Sequence, residues 1–354
     1  MAGVYISYPF CAQKCTYCNF ASGVFSRGLE ERYVDALQGE IRATAWPWAP
    51  ETVYLGGGTP SQMETEALAS ILAEIPGRPW LEATMEAAPG GLSRERIRAW
   101  SDAGINRVSL GVQSFEPREL ARTGRRHTAE IVESEIRMLR ACGIPSINVD
   151  LIAGLPGQTL ASFRESLDWV ERLDVPHVSV YMLEVDEDSR LGRELLVLGS
   201  RYGAQDVPEE DAIADFYEMA VERLAAMGIV RYEISNFARP GFESRHNLKY
   251  WKREPYLGFG SDAHSFDGVE RWQNPERPDD YVASPRAVAR TLADSQSEKY
   301  FLGLRLMEGV ETESFGEPIS RFVADGLLER AGSRIRLTPR GVMLSNEVFA
   351  EFVK

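Results

Sequence analysis

Three cysteines lie within eight residues near the start of the chain. Cys11, Cys15 and Cys18 have the spacing C-x3-C-x2-C, and the only other cysteine is Cys142. A short loop with this spacing can turn three thiolates toward one centre. A structural zinc site would need a fourth ligand, such as a distant histidine, whereas an iron–sulfur cluster accepts three cysteines when another ligand fills its fourth iron. The spacing therefore predicts a metal site and leaves zinc and iron–sulfur chemistry both open.

Glycines and polar residues lie at or just after the ends of several other short apolar runs of the sequence. In chain order they are Gly56-Gly57-Gly58-Thr59, Glu86, Gln113 and Asp150. Glycines let the backbone approach a ligand closely and adopt unusual dihedral angles. On its own such a glycine run is more often a turn, and the chain contains no G-x-x-x-x-G-K-[ST], so the sequence does not support a P-loop.

The elements that must position these residues alternate between strand-like and helical patterns. Strands are predicted over 4–8, 52–55, 81–87, 107–110, 146–151 and 177–182. Helices are predicted over 29–45, 64–75, 94–103 and 160–173, and a helical pattern follows the fourth strand up to 141. Repeated βα units predict a parallel sheet, and six units are fewer than the eight of a closed barrel. We therefore expect an α/β fold, an open and partial six-unit βα barrel. The carboxyl ends of its strands would bring the cysteines, glycines and polar residues to one edge.

The alternation weakens in the second half of the chain. Residues 187–210 are charged and irregular, a helix is predicted over 211–227, and a strand is predicted over 230–235. Near the C-terminus the pattern of 322–341 predicts a helix followed by a two-stranded wing. We predict three parts: the partial barrel (1–185), an α+β extension (186–296) and a small winged-helix-like C-terminal unit (297–354).

Composition restricts the class of protein. The chain has 53 acidic and 39 basic residues and a formal charge of −14, which argues against broad, nonspecific binding to nucleic acid. No apolar run has the length of a membrane span, and the N-terminus lacks the pattern of a secretory signal. Four cysteines do not suggest a disulfide framework. We predict a cytoplasmic protein without an integral membrane segment.

The cysteine spacing, on the loop after the first predicted strand, resembles the signature of the radical S-adenosylmethionine (SAM) superfamily. Further motifs occur in the order seen in the group that contains oxygen-independent coproporphyrinogen III oxidase and the heme chaperone HemW. They are YISYPFCAQKCTYC, GGGTP, EAAPG, AGINRVSLGVQSF, GRRH and NVDLIAGLPGQT within 5–159, then YEISNFARPGFESRHNLKYW (232–251), GFGSDAHS (258–265) and RWQN (271–274). The resemblance implies the radical SAM fold over the first half of the chain.

The resemblance also implies a [4Fe-4S] cluster held by Cys11, Cys15 and Cys18, with SAM on the open iron. Residues at the matching motif positions would form the SAM pocket: Tyr5, Tyr17, Gly57, Gly58, Thr59, Glu86, Gln113, Arg125 and Asp150. Taken without the resemblance, Arg125 could be a surface charge, and Gln113 could be a hydrogen-bonding residue at the sheet edge.

The segment HNLKYW, residues 246–251, resembles the HNxxYW motif associated with heme binding in HemW-like proteins. Histidine is a common axial ligand of heme iron, and Tyr250 and Trp251 could pack against a porphyrin face. The resemblance thus implies heme binding by His246, Tyr250 and Trp251. A loop histidine beside two core aromatic residues is the plainer alternative, and His264 is the competing heme ligand.

Two local features separate the branches of this group. The oxidase usually continues its cysteine motif as C-x3-C-x2-C-x-C, and here that further position is Phe20. The oxidase also has a longer N-terminal extension, whereas this chain starts on the first predicted strand. Both features favour the heme chaperone. A further difference concerns both branches: the position two after Tyr5 is commonly histidine and is Ser7 here, which argues against oxidase chemistry if that histidine assists proton or substrate handling.

Our first hypothesis is a heme chaperone that carries a [4Fe-4S] cluster and SAM, binds heme and passes it to acceptor proteins. The alternatives are a radical SAM oxidase of coproporphyrinogen III or a related methyltransferase, and a zinc-stabilised protein without radical chemistry. The first hypothesis implies heme, heme-acceptor proteins and an electron donor for the cluster as partners, and the resemblance implies that a homodimer can form. No residue is assigned a catalytic role from the sequence.

Overall fold

The first half of the chain forms six parallel strands, each followed by at least one helix. The computed structural model describes residues 2–285 and 289–353. The strands are Gly3–Tyr8 (β1), Thr52–Gly57 (β2), Glu82–Ala87 (β3), Arg107–Gln113 (β4), Ser146–Ala153 (β5) and His177–Met182 (β6). The helices up to β6 are Arg27–Ala43 (α1), Thr65–Ala73 (α2), Arg94–Asp102 (α3), Pro117–Thr123 (α4), Ala129–Ala141 (α5) and Leu160–Leu173 (α6). Strands β1 to β6 pair in parallel and in chain order, which confirms the predicted α/β fold.

Helix α1 shows how these helices pack on the sheet. Leu29, Tyr33, Leu37 and Ile41 recur every four residues and are all buried, so one face of the helix covers the sheet. The side chain of Ser26 accepts a hydrogen bond from the N–H of Leu29 and thereby satisfies a free donor at the helix start. No helix in the described ranges combines the length and the apolar character needed to cross a membrane.

The helical pattern predicted between β4 and β5 forms two helices, and its predicted end at 141 is confirmed by α5. Helix α4 ends at Gly124, whose φ of 87° lies in the left-handed region that glycine adopts without strain. Helix α5 begins after Thr128, whose side chain accepts a hydrogen bond from the N–H of Ile131. The break places Arg125 in a loop rather than on a helix.

The second half of the chain extends the same sheet beyond both β1 and β6. Its strands here are Val230–Arg231 (β7), Asn236–Ala238 (β8), Tyr256–Phe259 (β9), His264–Phe266 (β10), Glu270–Gln273 (β11) and Arg290–Leu292 (β12). Its helices are Arg190–Leu196 (α7), Glu210–Ala226 (α8), Arg245–Trp251 (α9) and Pro278–Ala283 (α10). The twelve-stranded sheet has the order β12-β11-β10-β9-β1-β2-β3-β4-β5-β6-β8-β7. Strand β9 is parallel to β1, which places this later segment directly beside the first strand.

Two predictions for this half were wrong. Only Val230–Arg231 of the strand predicted over 230–235 is a strand, because the chain then reverses into the antiparallel strand β8. In this reversal the N–H of Tyr232 donates to the carbonyl oxygen of Asn236. The region 187–210 was predicted to be irregular, yet it contains α7 and a 3-10 helix at Arg201–Asp206. Ser189 begins α7 by accepting a hydrogen bond from the N–H of Gly192.

A separate three-stranded sheet lies in the C-terminal part of the chain. Its strands are Val310–Glu311 (β13), Leu328–Ala331 (β14) and Arg334–Leu337 (β15), in the order β13-β15-β14. The accompanying helices are Ser295–Gly303 (α11), Ile319–Ala324 (α12), Pro339–Met343 (α13) and Ser345–Ala350 (α14). The predicted helix and two-stranded wing are confirmed by α12, β14 and β15. The division into 1–185, 186–296 and 297–354 stays a prediction, since the large sheet crosses the first boundary and α11 crosses the second.

Candidate functional site

The cysteine loop, defined as residues 11–20, follows β1 at the carboxyl edge of the sheet. The thiols of Cys11, Cys15 and Cys18 are all free and partly exposed. Burial raises the pKa of the Cys11 thiol, and the neighbouring thiols of Cys18 and Cys15 add to this rise because their negative charges lie close by. Among the described residues no three His, Cys, Asp or Glu side chains already form a closed metal site. Three neighbouring thiols on one loop are nevertheless a donor set that fits an iron–sulfur cluster.

The glycine run at the end of β2 lies against the chain that leads into the cysteine loop. The N–H of Gly58 donates to the carbonyl oxygen of Tyr8 at 2.8 Å, and the N–H of Thr59 donates to that of Phe10 at 2.9 Å. A β-carbon on Gly58 would lie 2.7 Å from both of these oxygens, so a side chain does not fit there. Gly57 has a φ of +102°, which disfavours any other residue. The two glycines therefore allow β2 and the cysteine loop to meet.

Tyr5, Tyr54 and Glu86 form a connected group on the first three strands. The rings of Tyr5 and Tyr54 stack with their centroids 6.2 Å apart. The hydroxyl of Tyr54 donates a hydrogen bond to Oε1 of Glu86 at 2.8 Å. Burial raises the pKa of Glu86 to about 7, despite the opposing effect of this hydrogen bond. The group therefore contains a carboxyl that is partly protonated near neutral pH.

A second carboxyl, Asp150 on β5, belongs to a network of buried polar side chains. Asn148 donates to its Oδ1 at 2.7 Å, and the hydroxyl of Ser109 donates to its Oδ2 at 3.0 Å. Burial raises the pKa of Asp150, and the Asp150 charge in turn raises the pKa of Glu86. Two predicted SAM residues on different strands therefore lie close enough to affect each other, and a cationic ligand beside them would favour their ionised forms.

Gln113 ends β4, and Arg125, in the loop after α4, contacts the same strand. Gln113 has a φ of 72°, an uncommon conformation for a residue with a side chain, at an irregularity in the pairing with β5. Nη1 of Arg125 donates to the carbonyl oxygen of Gly111 at 2.7 Å. Interaction with Tyr17 and Cys15 raises the pKa of Arg125 despite its burial. Its Nε is buried without a partner among the described residues, so Arg125 has a donor free for a ligand beside the cysteine loop.

A cavity of about 500 Å³ opens on the other side of Tyr5, between the large sheet and α11. We call it the aromatic cavity. Its lining residues are Tyr5, Tyr250, Trp251, Tyr256, Asp262, His264, Arg271, Glu298, Phe301 and Leu302. Tyr250 and Trp251 of the HNxxYW motif therefore line a space that is large enough for a small-molecule ligand.

His246 begins the same motif and was also predicted to bind heme. It is fully buried and does not line the aromatic cavity. Its Nδ1 lies 2.9 Å from the hydroxyl of Thr52, and its Nε2 lies 2.8 Å from the hydroxyl of Tyr250. Burial lowers its pKa to about 3, so the imidazole is neutral. Both ring nitrogens have partners here, and iron ligation by His246 stays a prediction.

Three further residues of the aromatic cavity were not singled out as site residues from the sequence. Nη2 of Arg271 donates to Oε2 of Glu298 at 2.9 Å, and Nη1 donates to the hydroxyl of Tyr256 at 3.2 Å. Arg271 is part of the RWQN motif, and this motif is the only feature of the sequence that points to it. Glu298 lies on α11, and no spacing in the sequence links it to β11.

Comparisons with known proteins agree with this arrangement. Residues 5–170 match the Radical SAM superfamily, and residues 291–344 match the HemN C-terminal domain. The heme chaperone HemW of Lactococcus lactis is 34% identical to this chain, over 99% of the chain and 96% of that protein. The heme chaperone HemW of Bacillus subtilis is 35% identical, over 100% of the chain and 99% of that protein. The chain belongs to the HemW family of the radical SAM superfamily.

A solved structure shares the fold of this HemW-family chain. It is the coproporphyrinogen III oxidase HemN from Escherichia coli, a radical SAM enzyme, with a TM-score of 0.83 over 99% of this chain and 89% of that chain. At 21% sequence identity the likeness concerns the fold alone. Membership of the superfamily supports a [4Fe-4S] cluster and SAM in this HemW-family chain, and the cysteine loop and the glycine run are the parts that fit them.

Proposed function

We propose that the protein is a heme chaperone that binds heme and transfers it to acceptor proteins. The observation that carries the proposal is the aromatic cavity, where Tyr250 and Trp251 of the HNxxYW motif lie beside Tyr5 of β1. Flat aromatic walls with a few polar groups suit a planar, largely apolar ligand such as a porphyrin. The relatives named heme chaperone HemW, aligned over almost their whole length, support the same function.

The proposed cofactors are a [4Fe-4S] cluster and SAM at the carboxyl edge of the sheet. Cys11, Cys15 and Cys18 would hold three irons of the cluster, and SAM would fill the place on the fourth. When bound, the cluster and SAM supply one-electron cleavage of the sulfonium. What supports this assignment is the group of free thiols beside a glycine run whose backbone packs directly against the cysteine loop.

The chain's own residues would bind and orient SAM. Thr59 and the glycines before it would hold the methionyl end, because their backbone approaches the cysteine loop closely. Glu86 and Asp150 would balance the positive charge of SAM, and Arg125 has a free donor beside Cys15. The full set proposed for SAM is Tyr5, Tyr17, Gly57, Gly58, Thr59, Glu86, Gln113, Arg125 and Asp150.

Heme titration followed by transfer tests the proposed function. The chain with its reconstituted cluster, kept free of oxygen, should bind heme and pass it to an added heme-free acceptor. We expect Trp251→Ala to weaken heme binding at least tenfold, since it removes one wall of the aromatic cavity. Trp169→Ala, which truncates a partly buried tryptophan on α6, is the matched control. A wild-type chain that binds no heme would exclude the chaperone function.

Coproporphyrinogen III oxidation is the competing activity and can be assayed with the same preparation. The position where the oxidase has a further cysteine is Phe20, and its side chain is 64% exposed. We expect no turnover of coproporphyrinogen III with SAM under reducing conditions. Product formation in step with SAM consumption would replace the chaperone with an oxidase.

We extend the proposal to the compartment and the other partners. All four cysteines are free, which supports a reducing compartment such as the cytoplasm. The cysteine loop is partly exposed, which supports access by an electron donor. The homodimer rests on the family resemblance. Sedimentation of the purified chain over a range of concentrations tests it, and a single monomeric species would exclude it.

A further inference from the structure

His246 has a structural position within the HNxxYW motif. Both of its ring nitrogens have hydrogen-bond partners, Thr52 and Tyr250. Its ring also stacks on Tyr54 with the centroids 5.3 Å apart, and a β-carbon on Gly3 would lie only 3.1 Å from its Cε1. To ligate iron, His246 would have to give up a hydrogen bond and leave a tightly packed site.

What His246 does in this position is fix one wall of the aromatic cavity. Its Nε2 bonds the hydroxyl of Tyr250 one helical turn further along α9. The Tyr250 ring then packs edge-on against Tyr256, with the centroids 4.7 Å apart, and against Trp251 at 6.3 Å. All three of these aromatic residues line the cavity. His246 therefore acts on the cavity through Tyr250.

His264 is placed very differently. It begins β10, a strand held by pairing with β11 and β9, and it lines the aromatic cavity. The side chain is exposed, and neither ring nitrogen has a hydrogen-bond partner among the described residues. A histidine on a fixed strand with free nitrogens in an aromatic cavity has what an axial heme ligand needs.

A second cleft, on the Trp251 side of the aromatic cavity, offers a contact for the anionic edge of heme. This cleft of about 550 Å³ adjoins the aromatic cavity and shares Trp251 with it. Four cationic side chains line this cleft, together with two carboxylates: Lys252, Arg253, Lys299 and Arg334, with Glu308 and Glu311. Arg253 pairs with Glu298, and Lys252 and Arg334 pair with Glu308 and Glu311. Lys299 has no ion pair among the described residues, so it is the side chain that would attract a propionate group.

We propose that the aromatic cavity is the heme seat, that His264 supplies the axial ligand to the iron, and that His246 is a positioning residue acting through Tyr250. The inference rests on the proposed function, because it takes heme as the ligand. The motif-based prediction assigns the iron ligand to His246, whereas this inference assigns it to His264.

The test compares ferric heme bound to the wild-type chain, with its cluster reconstituted, and to histidine variants. Electron paramagnetic resonance, on chain labelled with isotopic nitrogen in histidine only, reports whether a histidine ligates the iron. We expect His264→Ala to lose this histidine signature. We also expect its affinity for heme to fall at least tenfold. Imidazole added to that variant should ligate the iron and restore the spectrum, but the ligating nitrogen should then be unlabelled.

The positioning role predicts a different result for His246. His246→Gln keeps a hydrogen-bonding group in the buried site, so it is preferred to alanine if the alanine variant does not fold. We expect heme bound to His246→Gln to retain the histidine signature, while the affinity of this variant for heme falls. Tyr250→Phe should show the same fall in heme affinity. Loss of the signature in His246→Gln with imidazole rescue, or its persistence in His264→Ala, would overturn the assignment. If the wild-type chain bound no heme, the proposed function itself would fail, which is a separate result.

Discussion

Nε2 of His246 lies 2.8 Å from the hydroxyl oxygen of Tyr250, and Nδ1 of the same ring lies 2.9 Å from the hydroxyl of Thr52. The histidine of the HNxxYW motif therefore links β2 to the wall of the aromatic cavity. The HNxxYW motif suggests His246 as an iron ligand, but in this structure the same histidine positions Tyr250 by a hydrogen bond.

The link from Thr52 can be tested by Thr52→Val, which preserves shape and removes the hydroxyl. We expect a loss of about 1–3 kcal/mol in the free energy of unfolding, because a buried imidazole nitrogen is left without a partner. Chemical denaturation measures it. Thr291→Val on the exposed strand β12 is the matched control and should be near neutral. Equal stability of the two variants would mean that the hydrogen bond to His246 does not stabilise the fold.

The glycine run provides a second test, through Gly58→Ala. The added methyl group would lie 2.7 Å from the carbonyl oxygens of Tyr8 and Phe10, both of which accept backbone hydrogen bonds. We expect destabilisation of about 1–3 kcal/mol and poorer cluster incorporation. Gly39→Ala is the control, because nothing lies within 4 Å of its added carbon and it is in α1. That variant should gain about 0.5–1 kcal/mol, and a similar gain in Gly58→Ala would contradict the packing described.

The pH dependence of stability should report Glu86. Its pKa is raised to about 7 in the folded chain from an ordinary value of 4.5, so folding favours the protonated carboxyl. This preference is fully present below pH 4.5 and is lost as the pH rises through 7. Glu86→Gln should therefore resemble wild type at pH 4.5 and be more stable at pH 8, by up to roughly 3 kcal/mol.

Denaturation of the chain without cluster or SAM, repeated across this pH range, measures the Glu86 effect. Glu165→Gln changes an exposed carboxyl on α6 and serves as the control. If the wild-type and Glu86→Gln stabilities ran parallel from pH 4.5 to pH 8, Glu86 would have an ordinary pKa in the folded chain.

Cluster binding should depend on three of the four cysteines. Alanine in place of Cys11, Cys15 or Cys18 removes one thiolate ligand, and we expect each variant to lose the visible absorption and most of the iron after anaerobic reconstitution. Cys142→Ala is the control, because that thiol lies at the end of α5, apart from the cysteine loop. Full iron content in a Cys15→Ala chain would exclude the proposed set of ligands.

Much of the fold could be predicted because β1 to β6 alternate with amphipathic helices. The bounds of β6 and α6 were predicted to the residue. The break at Gly124 was missed, since one glycine within an otherwise helical pattern gives a weak signal, and Arg125 consequently lies in a loop. The reversal between β7 and β8 was missed because the segment 230–235 alternates apolar and polar residues, as a single strand does.

The approach of the glycine run to the cysteine loop could be predicted from the sequence, whereas the orientation of individual side chains could not. The cysteines and glycines follow consecutive strands, and parallel strands bring such residues together. The position of His246 depends on Thr52, which is 194 residues away in the chain. The pairing of Arg271 with Glu298 likewise depends on how α11 packs against β11. No local pattern contains that information.

Tyr5 has neighbours on both sides of β1. Its ring stacks on Tyr54 toward the proposed SAM pocket, and it also lines the aromatic cavity beside Tyr250. The two proposed ligands would therefore share one side chain as a common wall. If one ligand changes the position of Tyr5 that the other prefers, each must alter the affinity of the other by the same factor, as thermodynamic linkage requires. One tyrosine is thus enough to couple cofactor occupancy to the uptake or release of cargo.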